Sequence, residues 1–164
     1  MILEFNLAWQ GPAPRNIPDS HGTRAAPFLV APRWLSCKLM QRAVRKYLEA
    51  LEASDVDKGA ALFTADGWVQ SPFLGRLPAR AYLAKVASAT SATALTVHDV
   101  LVSAEGHMRG VAYYLYDWRL KDGSKVAFEC ADVFIFDPDT GRIASVVLVY
   151  DTHLVRDVVE NKYP

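Results

Sequence analysis

Two runs of alternating residues, joined by one tight turn, constrain this chain more than any other feature. From His107 to Leu120, Met108, Ala112, Tyr114, Tyr116, Trp118 and Leu120 alternate with Arg109, Val111, Tyr113, Leu115, Asp117 and Arg119. A period of two marks a strand with unlike faces. Lys121-Asp122-Gly123 then closes a hairpin, because Asp-Gly tolerates the positive φ of a tight turn. The second run spans Val126–Asp137, and the turn Asp137-Pro138-Asp139-Thr140-Gly141 leads into a third, Arg142–Tyr150. One residue breaks the pattern. Asp132 falls on the strand face of Val126, Phe128, Cys130, Phe134 and Phe136. An ionised carboxylate among aromatic rings is costly unless it is paired, hydrogen-bonded or held protonated. Asp132 is therefore the first functional candidate.

Helical patterns precede this meander. Ser36 is read as the N-cap of a helix reaching about Ala53, with Met40, Val44, Tyr47, Leu48 and Leu51 on one face. Ser54-Asp55 restarts the chain into a short helix, Val56 to Thr64. Asp66-Gly67 reads as a turn, Trp68–Ser71 as a strand stopped by Pro72, and Phe73–Arg76 as a loop. A third helix is expected from Pro78 to about Ser88, and a strand from Leu95 to Ala104. The end, from His153 to Lys162, reads as a helical or frayed tail. Helices first and a long antiparallel meander afterwards predict an α+β fold, with helices gathered on one side of the sheet. A twisted sheet curving around helices leaves a cavity suited to a small apolar ligand.

Five of the nine prolines lie before Trp34, which predicts an irregular extension over residues 1–35 and one α+β domain over 36–160. Equal numbers of acidic and basic residues, 18 of each, without a dense basic cluster, argue against a nucleic-acid partner. No apolar run is long enough to cross a bilayer, and the opening Met1-Ile2-Leu3-Glu4 lacks the pattern of a signal peptide, so a soluble cytoplasmic protein is expected. Cys37 and Cys130 read as reduced structural thiols. The sequence shows no glycine-rich phosphate loop, metal-ligand spacing or Ser-His-Asp arrangement. No metal, nucleotide or other cofactor is expected.

The order of elements, the segment from Met40-Gln41-Arg42 through Tyr47-Leu48-Glu49-Ala50-Leu51 to Asp55-Val56-Asp57, and Ala131-Asp132-Val133-Phe134-Ile135-Phe136 before Gly141-Arg142-Ile143 resemble the nuclear transport factor two-like superfamily. Within it the chain is most similar to ketosteroid isomerases and related polyketide cyclases. That resemblance implies a cone-shaped fold, with a curved, mainly antiparallel sheet wrapped around three N-terminal helices. It also implies that Tyr47 and Asp132 act as donors to the oxyanion of an enolate. The aspartate that moves the proton in ketosteroid isomerases falls on Ser71 of Val69-Gln70-Ser71-Pro72, and a neutral hydroxyl is no general base near neutral pH. The proton carrier would be Asp132 itself, a water held by Ser71, or His98. As in the cyclases, Asp132 could act as acid or base, either a protonated donor or an ionised acceptor.

Trp68, Phe73, Tyr114, Tyr116, Trp118, Phe128, Phe134, Val146, Leu148 and Tyr150 are expected as cavity walls, with plain core packing as the alternative for the aromatic ladder. Asp117, Glu129 and Asp151 are expected to face outward. The resemblance implies pairing of two copies through the convex side of the sheet. The leading expectation is a cofactor-independent isomerase, cyclase or lyase acting on a small apolar carbonyl compound. The rivals are a ligand-binding module that lost its base at Ser71, and a dimerisation module whose cavity is filled by side chains.

Overall fold

The computed structural model describes residues 33–159. Helix α1 runs Arg33–Glu52, so residues 33–35 are helical rather than part of an extension, and Ser36 lies inside the helix instead of capping it. The remainder of the expected extension falls outside the described residues. Met40, Val44, Tyr47, Leu48 and Leu51 form the buried stripe, as their spacing predicts. Ser54 stops the helix in the left-handed region, at φ 53°. Asp55 then caps α2, Val56–Ala60, by accepting from the Lys58 amide at 3.0 Å.

Helix α2 ends four residues earlier than expected, because the chain is taken into a sheet. Strand β1, Phe63–Ser71, runs straight through Asp66-Gly67. That dipeptide is not a turn. The register of β1 shifts between Phe63 and Trp68, and a Cβ on Gly67 would lie 2.8 Å from the Phe63 Cβ, so this irregularity requires glycine. After Pro72-Phe73-Leu74 the chain returns as edge strand β2, Gly75–Pro78, where a loop was expected. Helix α3, Ala79–Ala89, buries Ala79, Tyr82, Leu83 and Val86, the i, i+3, i+4, i+7 stripe of a helix against a core.

Strand β3, Thr90–Val102, follows α3 without a loop. It pairs with β4, Arg109–Leu120, which pairs through the Asp122-Gly123 turn with β5, Lys125–Phe136. The predicted alternation holds: Ala112, Tyr114, Tyr116, Trp118 and Leu120 of β4 are buried, as are Phe128, Cys130, Asp132, Phe134 and Phe136 of β5. Strand β6, Ile143–Val147, is shorter than expected and inserts between β5 and β1, antiparallel to the first and parallel to the second. The sheet order is β2-β1-β6-β5-β4-β3. A short helix α4, His153–Val159, buries Val155.

The architecture is the expected α+β cone, a six-stranded mixed sheet with helices on its inner side. Side chains fasten α1 to the edge strand: the Gln41 amide donates to the Val100 carbonyl at 3.2 Å, and the Glu52 carboxylate accepts from the Leu95 amide at 2.8 Å. The deepest part of the core lies where α1 crosses the sheet. The Tyr47 ring stands edge-on to Phe134, 5.2 Å between centroids, and to Phe63 at 6.0 Å. Among the described residues no helix is long and apolar enough to cross a membrane.

Candidate functional site

The β4–β5 register decides what surrounds Asp132. Ala112 is its direct cross-strand partner, and Tyr114 is opposite Cys130. Tyr114 is therefore the diagonal neighbour of Asp132 on the same face, close enough for a long side chain to reach. Its hydroxyl donates to Asp132 Oδ2 at 2.9 Å. The other oxygen, Oδ1, is buried without a protein partner, and so is the Tyr47 hydroxyl. Asp132 has no exposed surface. Burial pushes its pKa up to about 7, against the opposing pull of the Tyr114 hydrogen bond on the charged form.

The surrounding groups are phenols and one thiol. Burial holds Tyr47, Tyr82 and Tyr114 well above the ordinary phenol range, and the charge of Asp132 adds to the effect at each. Burial likewise raises Tyr116 and the Cys130 thiol, and pushes Tyr150 up to about 12. All of these stay neutral near pH 7. Asp132 is the member of the cluster whose charge changes there.

Beside this cluster lies a cavity of about 30 Å³, room for roughly two water molecules. Tyr114, Tyr116, Trp118 and Phe128 line it from β4 and β5, and Phe73, Leu148 and Tyr150 from the loops. Tyr47 and Asp132 do not line it. They stand behind its wall, and Tyr114 connects the wall to the carboxylate. The expectation that Tyr47 and Asp132 converge on this space is thus corrected: helical and strand periodicity report that a side chain is inward, but not how deep it lies.

Three other expected wall residues lie elsewhere. Phe134 and Val146 are fully buried and paired across β5 and β6, filling the core around Tyr47 rather than facing the cavity. Trp68 is on the opposite side of β1 from the buried Val69 and Ser71, and the Arg76 guanidinium lies over its ring at 3.9 Å. His98 is likewise no proton relay of this cavity. The β3 register shifts between Val97 and Asp99, and His98 is exposed on the outer face, its Nε2 3.2 Å from Glu129 and its ring beside Tyr113.

Ser71 does line the cavity, but its oxygen accepts from the Phe73 and Leu74 amides, both at 3.3 Å. It shapes the β1–β2 turn and also hydrogen-bonds toward Tyr150. Tyr82 goes unassigned in the sequence, and Tyr114 is expected there only as a cavity wall. Tyr114 as the partner of Asp132 follows from the hairpin register, and Tyr82 from the buried stripe of α3. Among the described residues, no three His, Cys, Asp or Glu side chains gather to hold a metal ion.

The model of the SnoaL-like domain matches residues 44–146. The chain belongs to the SnoaL-like domain family. This agrees with the nuclear transport factor two-like resemblance of its sequence. Among curated proteins, no sequence matches this SnoaL-like domain. Several solved structures match its fold. The epoxide hydrolase/cyclase-like enzyme SalBIII, described for pyran ring formation in the polyether salinomycin, shares 18% identity over 71% of this chain and 94% of its own, with a TM-score of 0.60. An LEH-like epoxide hydrolase of M. tuberculosis shares 18% over 73% of this chain and 88% of its own, also at 0.60. A protein of Catenulispora acidiphila DSM 44928 with a ketosteroid isomerase-like fold, solved with trimethylamine, shares 15% over 70% and 89%, at 0.61. At these identities the likeness concerns the fold.

The unpartnered Tyr47 hydroxyl allows a direct check. Removing a buried hydroxyl that has no partner deletes a desolvation cost of about 1–3 kcal/mol while keeping the ring that Phe63 and Phe134 pack against. Tyr47→Phe is expected to unfold in urea at the same midpoint as wild type or a higher one. A marked drop would mean that the hydroxyl has a partner in solution.

Proposed function

We propose that this SnoaL-like domain is a cofactor-independent isomerase, cyclase or lyase acting on a small, largely apolar carbonyl compound, with Asp132 and Tyr114 as its acid–base pair. The observation that carries this reading is the 2.9 Å bond from the cavity-lining Tyr114 to a fully buried carboxyl, whose pKa burial pushes up to about 7. A proton carrier works best when its pKa lies near the operating pH, because it can then both take and return a proton.

In the ionised state Asp132 accepts from Tyr114, and Tyr114 oxygen faces the ligand. The α-proton of the carbonyl compound passes to that oxygen as the phenol's own proton passes to Asp132 Oδ2. This leaves an enolate, a neutral Tyr114 and a protonated Asp132. Return along the same path to a different carbon completes an isomerisation. Tyr82 and Tyr116, also on the cavity wall and held neutral, supply donors to the developing oxyanion. Tyr114 takes the place expected for direct contact by Asp132, and no role for Ser71 as base is required.

A binding role without turnover is favoured by one observation: no carboxylate lines the cavity, and Ser71 is engaged by the neighbouring turn. Pairing of two copies belongs to the same proposal, through the outer sheet face where Leu101, Tyr113 and Ile135 are exposed. The test for catalysis is deuterium uptake. Small cyclic β,γ-unsaturated ketones incubated with the protein in D2O are followed by NMR for exchange of their α-protons. Protein-dependent exchange supports the enzyme reading. Saturable binding without exchange supports the binding reading.

A further inference from the structure

A cavity with room for roughly two water molecules cannot receive an organic ligand unless one of its walls withdraws. Most of the walls are fixed. Tyr114, Tyr116 and Trp118 lie on β4, and Phe128 and Cys130 on β5, both interior strands of the sheet. Leu51 belongs to α1, which Gln41 and Glu52 tie to β3. Val86 of α3 is tied to the sheet through Thr90, whose hydroxyl donates to the Val86 carbonyl at 2.7 Å and accepts from the Trp118 indole at 2.8 Å. Ser71 anchors the Phe73 and Leu74 amides, and the Leu148 amide donates to the Gln70 carbonyl at 3.0 Å.

Val155 is attached differently. Among the described residues it is the side chain that α4 contributes to the wall, and it is 1% exposed, whereas its neighbour Leu154 is 55% exposed. No hydrogen bond or ion pair between described residues joins an α4 side chain to another element. The chain is last bound to the sheet just before α4, where the Ala131 amide donates to the Val149 carbonyl at 2.9 Å and Tyr150 bridges to Cys130. The bonds that follow are local. The His153 amide donates to Asp151 Oδ1 at 2.9 Å, and the Val155 and Arg156 amides donate to the Thr152 carbonyl at 3.2 and 2.9 Å. All of them survive if the helix turns as a unit about Asp151-Thr152. A helix of 7 residues is also too short to persist by itself. Burial of Val155 is what seats it.

We propose that α4 is a lid hinged at Asp151-Thr152, which lifts Val155 out of the wall and opens the cavity, with Cys130, to solvent and ligand. This is a local opening, distinct from unfolding. The inference rests on the proposed function only for what enters. A pocket that binds without turnover needs the same door.

Cys130 serves as the gauge, because it is 2% exposed, lines the cavity and lies on β5, against which α4 packs. The test is reaction of the full chain with dithiobis(nitrobenzoate), with Cys130 and Cys37 read separately by peptide mass spectrometry. The Cys130 thiolate attacks the reagent disulfide and releases one nitrothiobenzoate. That reagent is far larger than the closed cavity, so its reaction reports an opened state.

The wild-type rate at Cys130 should not change with urea below the unfolding transition, because a lifted lid exposes little surface. Val155→Ala should raise the rate about tenfold, the effect of losing two buried methyl groups. Arg156→Gly leaves the wall intact and weakens only the helix, and should raise it several-fold. Ile143→Val, a fully buried change away from the cavity, should lower the urea midpoint and leave the Cys130 rate as it was. A rate that follows the urea midpoint across all three variants would mean exposure by global unfolding and would overturn the proposal. No acceleration in Val155→Ala and Arg156→Gly would overturn it as well. Ketone exchange is read separately, so a fixed α4 and an absent reaction are distinguishable results.

Discussion

Asp132→Asn is expected to lose α-proton exchange while becoming more stable near pH 8. The two effects have one cause. Raising a carboxyl from its ordinary range near 3.9 to about 7 by burial costs the folded state about 4 kcal/mol once the pH is above about 7, where both the folded and the unfolded chain are ionised. The sign follows from proton binding: between these two pKa values the folded chain holds the proton and the unfolded chain has released it. The Asp132 contribution is therefore most favourable below about pH 4, declines as pH rises to about 7, and is flat above. Asparagine removes the titration. It keeps an acceptor for Tyr114 but buries an amide where Oδ1 now stands unpartnered, which offsets about 1–3 kcal/mol of the gain. Urea midpoints measured from about pH 5 to 8 should thus fall less in the variant than in wild type. Exchange should drop by on the order of a thousandfold, within the span attributed to positioned acids and bases.

Tyr114→Phe removes the only hydrogen bond that the described residues give to the Asp132 carboxyl. It also removes the group that carries the proton between cavity and carboxylate. Exchange is expected to fall by about a hundredfold to a thousandfold. Because the lost bond favours the charged form, the pKa of Asp132 should rise, and the residual pH profile should move up with it. A purely structural Tyr114 would change stability without moving that profile. The ring of phenylalanine preserves the contact with Tyr116, so a change in profile reports on the hydroxyl.

The features legible in sequence are those governed by a local rule. Alternation placed Asp132 among inward aromatic residues, and Asp122-Gly123 set the hairpin whose register brings Tyr114 beside it. The helical stripe of α1 placed Tyr47 in the core. What escaped depends on contacts between distant segments. Asp66-Gly67 has turn chemistry, yet close packing onto Phe63 makes it part of β1. His98 lies at a register shift that alternation along β3 does not reveal, and it reaches the outer face. Trp68 adjoins the irregularity at Gly67, which decides which side of β1 it occupies. Depth behaves the same way. The pattern marks Phe134, Val146, Tyr47 and Asp132 as inward, but the packing of α1 and β6 determines that they sit behind the cavity wall.

An apolar site holds the Asp132 carboxyl poised near neutrality, with a single phenol as its hydrogen-bond partner. Carbon-13 NMR of aspartate carboxyls, assigned by comparison with Asp132→Asn, measures it directly. One carboxyl is expected to titrate at about 7 in the wild-type protein and higher in Tyr114→Phe. A midpoint for Asp132 near the ordinary value of about 4, unchanged by loss of the Tyr114 hydroxyl, would contradict it.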